Sequence, residues 1–209
     1  MTRLLLACGI AAGPWFLGVA LVQGLTREPF DFTRNAISQL SLGELGWIQV
    51  ASFVVTACLA VAASIGLRRA LQNGPGGTWA PRLVAVFGAS FLVSAFFSAD
   101  PGAGFPEAGD QAAVLSTTGA VHMAGAMIGF LSLCAAFVVM GRHFAARGER
   151  GWAIACRLVP VGVLAGFAGS SVAVPAFTAG AGLGLIWLAV VSARVRAFAG
   201  SAATPYLIK

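Results

Sequence analysis

The chain has 209 residues, 58% hydrophobic and only 10% charged, where soluble domains carry roughly 25% charged residues. With a mean hydropathy of +0.88 this excludes a soluble globular domain. The pI of about 10.1 does not make it a nucleic-acid binder, because the cations flank apolar runs instead of forming one continuous basic surface.

A bilayer core about 30 Å thick needs about 20 apolar residues per helix. Six runs qualify, at 4–25, 46–67, 82–99, 120–140, 152–174 and 177–195. The expected fold is therefore all-α, one six-helix transmembrane domain over 1–209. Eleven of the thirteen Lys and Arg fall in one alternating set of connecting segments with a single acid, Glu149. The other set holds Arg27 and Arg34 against six acids, so the two faces carry +10 and −4. Short basic loops stay in the cytoplasm, which predicts cytoplasmic termini and an acidic outer face.

The first run follows Arg3 and reaches Leu25 without a small-residue cleavage site, so it reads as an uncleaved first helix. Residues 26–45 follow on the outside. Pro29 and Asp31 look like a helix start and Gly43 like its stop. Asp31, Arg34, Ser38 and Ser41 recur at spacings of three and four, which predicts a short extracytoplasmic interfacial helix with a polar stripe. Phe30, Ile37, Leu40 and Leu42 then rest on the bilayer or the bundle.

The second connection, around Asn73-Gly74-Pro75-Gly76-Gly77, is a flexible inner turn. Trp79 and Trp152 open the spans after the two basic loops, as interfacial anchors do. The outer connection from Asp100 begins Asp-Pro-Gly and cannot start as helix, while Asp110 is placed to cap span four. Pro175 with Gly180, Gly182 and Gly184 predicts a tight outer turn between the last two spans. Glycine pairs at 9/13, 125/129, 162/166 and 180/184 allow close helix approach. Packing within the chain is the expected use of these faces, and a homodimer the alternative. Cys8, Cys58, Cys134 and Cys156 lie in spans with no Cys-x-x-Cys spacing, so no disulfide framework, zinc site or other cofactor is expected.

Titratable groups at the edge of a hydrocarbon core are the default places to look for function. His122 lies in the outer part of span four, and Asp100 ends span three on the same side. With Asp31, Arg34, Asn35, Ser38 and Ser41 they form a candidate polar cup. Asp100, His122 and Asp31 carry the acid–base chemistry of such a cup; Arg34, Asn35, Ser38 and Ser41 suit a substrate or an anionic headgroup. The same set serves as a structural hydrogen-bond network, which is the first expectation, as a lipid or substrate site, or as a metal site. His143 sits among inner arginines.

The stretch Asp31-x-x-Arg34-Asn35-x-Ile37-Ser38-x-Leu40-Ser41-Leu42-Gly43-x-x-Gly46-Trp47-Ile48-Gln49, then Phe53 and Gly66-Leu67-Arg68-Arg69, resembles a bacterial membrane family catalogued as domain of unknown function 998. Asp100-Pro101-x-x-Gly104-Phe105-Pro106, His122 and Arg147-Gly148-Glu149-Arg150-Gly151-Trp152 fit that pattern too. The resemblance implies six helices with a polar signature at the extracytoplasmic mouth. More distantly the chain is similar to the Frag1, DRAM and Sfk1 group, linked to lipid and membrane regulation. It departs from alkaline-ceramidase-type hydrolases, which need three histidines where this chain has one outward histidine. The expected role is a lipid-interacting or membrane-homeostasis component with membrane lipids as partners and no nucleic acid. A membrane-embedded hydrolase- or cyclase-like enzyme on a lipid or isoprenoid-like substrate is the alternative, and a small transporter the third.

Overall fold

A computed structural model describes residues 1–72, 74–107, 115–170 and 172–201. Six α-helices run α1 (Thr2–Thr26), α2 (Gly46–Leu71), α3 (Trp79–Phe96), α4 (Thr117–Ala146), α5 (Arg150–Gly169) and α6 (Val174–Ser201), with a 3-10 helix over Ile37–Ser41 between α1 and α2. Each α-helix is long and apolar enough to cross a membrane, and the chain is a multi-pass membrane protein. A helix that is apolar all round has no water-facing stripe, so packing, not polarity, must choose its inner face. Small residues make that choice. The buried face of α2 carries Ser52, Thr56, Ala57, Ala60, Ala63, Ser64 and Gly66, while Val54, Val55, Val61 and Ile65 point outward. In lipid, close backbone approach gains more than large side chains turned inward would.

The helices pack in chain order and α6 returns to α1, closing a six-membered ring that α6 also braces by touching α2 and α4. All eight paired glycines face another helix of the same chain. A side chain at Gly9 would meet Ser192 and Ala63, at Gly13 the Leu185 backbone, at Gly125 Val93, at Gly129 Ser90, at Gly162 Leu183, at Gly166 Gly180, at Gly180 Gly166, and at Gly184 Leu133. The half of the ring where α1 begins is packed with the buried side chains of Phe137, Phe144, Met140, Leu6 and Leu188. There Glu149 receives Arg194 at 2.8 Å and Arg147 at 3.1 Å, clamping the α4–α5 loop to α6. Burial pushes the Glu149 carboxyl up, but hydrogen bonds and charge from Arg194 and Arg147 outweigh it and hold the group below its ordinary value.

The structure differs from the sequence expectation at two connections. The α5–α6 connection comes directly after Gly169, where Val172 and Ala173 donate back to the Gly169 carbonyl. Pro175 sits in the first turn of α6, where its missing N–H costs nothing. Gly180 and Gly184 are helical and serve helix packing instead of a turn. The interfacial helix is also shorter than the spacing suggested: Asp31–Arg34 is a turn, held because Asn35 Oδ1 accepts the Asp31 N–H at 2.9 Å, and only Ile37–Ser41 is helical. Gly43 ends it at φ +72°, a left-handed conformation that suits glycine. Asp110, Asn73 and Lys209 lie outside the described residues.

Candidate functional site

The acidic end of the ring is built differently from the basic end. Ile37 and Leu40 turn into the bundle and are buried, so the 3-10 helix lies over the ring as a lid. Arg27, just past α1, fastens it. Its Nη1 donates to the Leu40 carbonyl at 2.5 Å and to Gln23 Oε1 at 3.3 Å, and its Nη2 to the Leu42 carbonyl at 2.6 Å. Its guanidinium also lies 5.2 Å from the Phe105 ring centroid. Partial burial pulls this guanidinium below the ordinary arginine pKa, yet it stays charged at any physiological pH. A second fastening runs to the connection between α3 and α4. Asn35, fully buried, donates to the Gly102 carbonyl at 3.1 Å, and Gln39 donates to the Asp100 carbonyl at 3.1 Å.

Beneath the lid a narrow cavity of about 60 Å³ opens among α1, α2, α3, α4 and α6. Its walls are largely aromatic. Phe16, Phe53, Phe91, Phe130 and Phe177 line it, and Phe16 stacks on Phe53 at 5.7 Å and meets Phe91 edge-on at 5.3 Å. Rings locked in this way hold the shape of a pocket without a ligand. Ser38, Ser90, Ser94, His122 and Thr178 supply its polar atoms. Ser90 is satisfied by the Phe87 carbonyl at 2.7 Å, but Thr178 Oγ1 is buried with no partner.

His122 is 4% exposed, and its Nδ1 lies 2.8 Å from the Phe97 carbonyl. A carbonyl can only accept, so Nδ1 carries the hydrogen. The neutral ring then keeps its lone pair at Nε2. Among the described residues no carboxylate hydrogen-bonds this imidazole. Asp100 instead holds the start of α4, accepting the Ser116 N–H at 3.0 Å and the Ser116 hydroxyl at 2.5 Å, and Ser116 in turn accepts the Gly119 N–H at 3.0 Å. An anion at a helix N-terminus is favoured there by the helix dipole.

The residues read from sequence as one cup are thus dispersed over the lid. Ser38 and His122 share the cavity. Asn35 is buried against the α3–α4 connection, and Ser41 donates back to the Ser38 carbonyl at 2.7 Å. Asp31 and Arg34 form an exposed pair at 3.2 Å. Hydrogen bonds from the Thr33 side chain and backbone, then Arg34, lower the Asp31 carboxyl. Among the described residues no group of three His, Cys, Asp or Glu gathers to hold a metal ion.

Arg27, Gln39, Thr178, the phenylalanine walls and a buried Gln23–Gln49 pair at 2.7 Å are participants the sequence reading passed over. The glutamines had a signal: each is an amide inside an apolar span, as costly there as a titratable group unless paired.

A family model described as Protein of unknown function (DUF998) matches residues 10–199. No curated protein and no solved structure matches the chain.

Proposed function

The chain belongs to the family described as Protein of unknown function (DUF998), and from the geometry of its outer end we propose that it is a lipid-interacting membrane protein that binds a single-chain amphiphile beneath the lid. The observation that carries this reading is the unpartnered Thr178 hydroxyl beside His122 in a cavity walled by five phenylalanines. A mostly apolar pocket with a few convergent polar groups is the usual form of a small-molecule site. His122 and Thr178 stand on the second turns of α4 and α6, and Phe130 is eight residues further along α4. That spacing makes the pocket about 12 Å deep along the helix axis. The end group of the ligand, an alcohol, acid or amide, meets His122, Ser94 and Thr178, and its hydrocarbon stem runs toward Phe130. Binding is favoured over hydrolysis because the imidazole is oriented by the Phe97 carbonyl and, among the described residues, has no carboxylate, serine or threonine as a hydrogen-bond partner.

The test is extraction of the full chain in mild detergent, followed by native mass spectrometry. The parent is expected to carry a bound amphiphile. Ala126→Trp, which fills the cavity, and Thr178→Val, which removes its free hydroxyl, are expected to lose most of it while remaining monodisperse. A bare parent, or an Ala126→Trp variant that retains the ligand in full, contradicts the proposal.

We further propose that the lid faces out of the cytoplasm, because among the described residues one end of the ring carries ten Arg against Glu149 and the lid end carries Arg27 and Arg34 against five acids. In a cysteine-free background, Glu44→Cys is expected to react with an impermeant thiol reagent in intact cells and Ala146→Cys only after lysis. The reverse pattern refutes the orientation.

A further inference from the structure

A second recess lies at the opposite end of the ring, on its outer surface between the end of α2 and the start of α3. Its volume is about 350 Å³, open to the surroundings, and Arg68, Arg69 and Arg82 line it together with Ser64, Ile65 and Ala85. Three cations so close together repel one another unless an anion joins them. None is supplied by the described residues. Glu149, the only acidic side chain at this end, is already engaged by Arg147 and Arg194, and Arg69 and Arg82 take part in none of the ion pairs.

The recess is held in place. Arg68 donates to the Gly77 carbonyl at 2.8 Å and to Thr78 Oγ1 at 3.2 Å. His143 on α4 lies 3.2 Å from the Pro75 carbonyl, which fixes the turn below. The start of α3 adds the positive end of a helix dipole, and the Thr78 side chain does not cap it.

We propose that this recess binds the phosphate of an anionic phospholipid. Two observations choose a lipid over a soluble anion. The 26 residues of α2 span about 39 Å, so its final turns, which carry Arg68 and Arg69, emerge from a core about 30 Å thick into the headgroup layer. From the recess, exposed apolar side chains continue down both helices as a track for an acyl chain: Ile65 and Val61 on α2, Val86 on α3, and Trp79 at the rim. Arginine forks bind phosphate oxygens two at a time, and basic recesses between transmembrane helices are suited to such headgroups. This site does not depend on the outer cavity.

The experiment titrates phosphatidylglycerol or phosphatidylcholine into the purified full chain and reads bound lipid by native mass spectrometry. Phosphatidylglycerol is expected to bind the parent more tightly than phosphatidylcholine. The double variant Arg69→Gln/Arg82→Gln is expected to weaken it by about tenfold to thirtyfold, and the charge-matched control Arg142→Gln/Arg150→Gln by less than about twofold. Ala85→Trp, which obstructs the recess without removing charge, should weaken it as well and stands in if the double variant does not fold. Equal binding of the two lipids, equal loss in the charge-matched control, or displacement of phosphatidylglycerol by millimolar inorganic phosphate would each overturn the proposal.

Discussion

Replacing Arg27 by methionine is expected to lower the stability of the detergent-solubilised protein by about 3 kcal/mol and to release the lid. Hydrogen bonds from a charged donor contribute roughly 1.5–3 kcal/mol each, and Arg27 supplies two, to the Leu40 and Leu42 carbonyls, plus a weaker one to Gln23. Those carbonyls end a five-residue 3-10 helix whose own backbone bonds are few. Methionine preserves the apolar stem but loses the guanidinium together with its position over the Phe105 ring, so the loss reports everything the guanidinium does. Lysine keeps the charge but not the fork, and Arg27→Lys should fall between. Hydrogen exchange at 37–42 is the sharper readout. It should accelerate in Arg27→Met well before global unfolding, whereas unchanged exchange there would mean that burial of Ile37 and Leu40 alone holds the lid.

The largest stability loss is expected at Gly13. A side chain there would strike the carbonyl carbon and oxygen of Leu185, and a backbone cannot rotate aside as a side chain can. Overpacking typically costs 1–3 kcal/mol, and separating α1 from α6 opens the ring, so Gly13→Leu should lose about 3 kcal/mol or more and yield little monodisperse protein. Gly18 is the internal control. It lies on the same helix with nothing within 4 Å of an added Cβ, and Gly18→Leu should be at least as stable as the parent, since leucine favours helix over glycine. Similar behaviour of the two variants in size-exclusion chromatography would show that ring closure between α1 and α6 contributes little.

These expectations also mark how far the sequence could be read. Six spans were legible because bilayer thickness imposes a length that no other use of an apolar run shares. The end of α5 was not. Two serines after Gly169 are too weak a signal to end a span, and the connection is defined by backbone hydrogen bonds from Val172 and Ala173 to Gly169 that leave no compositional trace. The paired glycines could be seen, but not their partners, since a four-residue spacing fits a second copy as well as a neighbouring helix.

At the outer mouth the helical spacing of Asp31, Arg34, Ser38 and Ser41 suggested one polar face. Asn35 breaks it, because an asparagine side chain can bond its own backbone and form a turn in place of a helix. His122 was legible as a polar group inside a span. Its partner was not, because the partner is the Phe97 carbonyl, and any residue at position 97 supplies one. The cavity was the least legible feature. Its walls come from five elements, and nothing in the local pattern of Phe16, Phe53, Phe91, Phe130 and Phe177 distinguishes walls from ordinary core.

The central claim is that the space beneath the lid is occupied by an amphiphile, and photolabelling tests it most directly. A long-chain fatty acid carrying a diazirine at the end of its tail would be equilibrated with the purified full chain, irradiated, and the labelled residues mapped by peptide mass spectrometry. Label is expected on cavity residues, chiefly Ala126, Phe130 and Ala181, suppressed by excess unlabelled fatty acid and absent in Ala126→Trp. Label confined to lipid-facing Met123, Met127, Ile128 and Leu131 and indifferent to competitor would contradict it, leaving the cavity as an unfilled space in the fold.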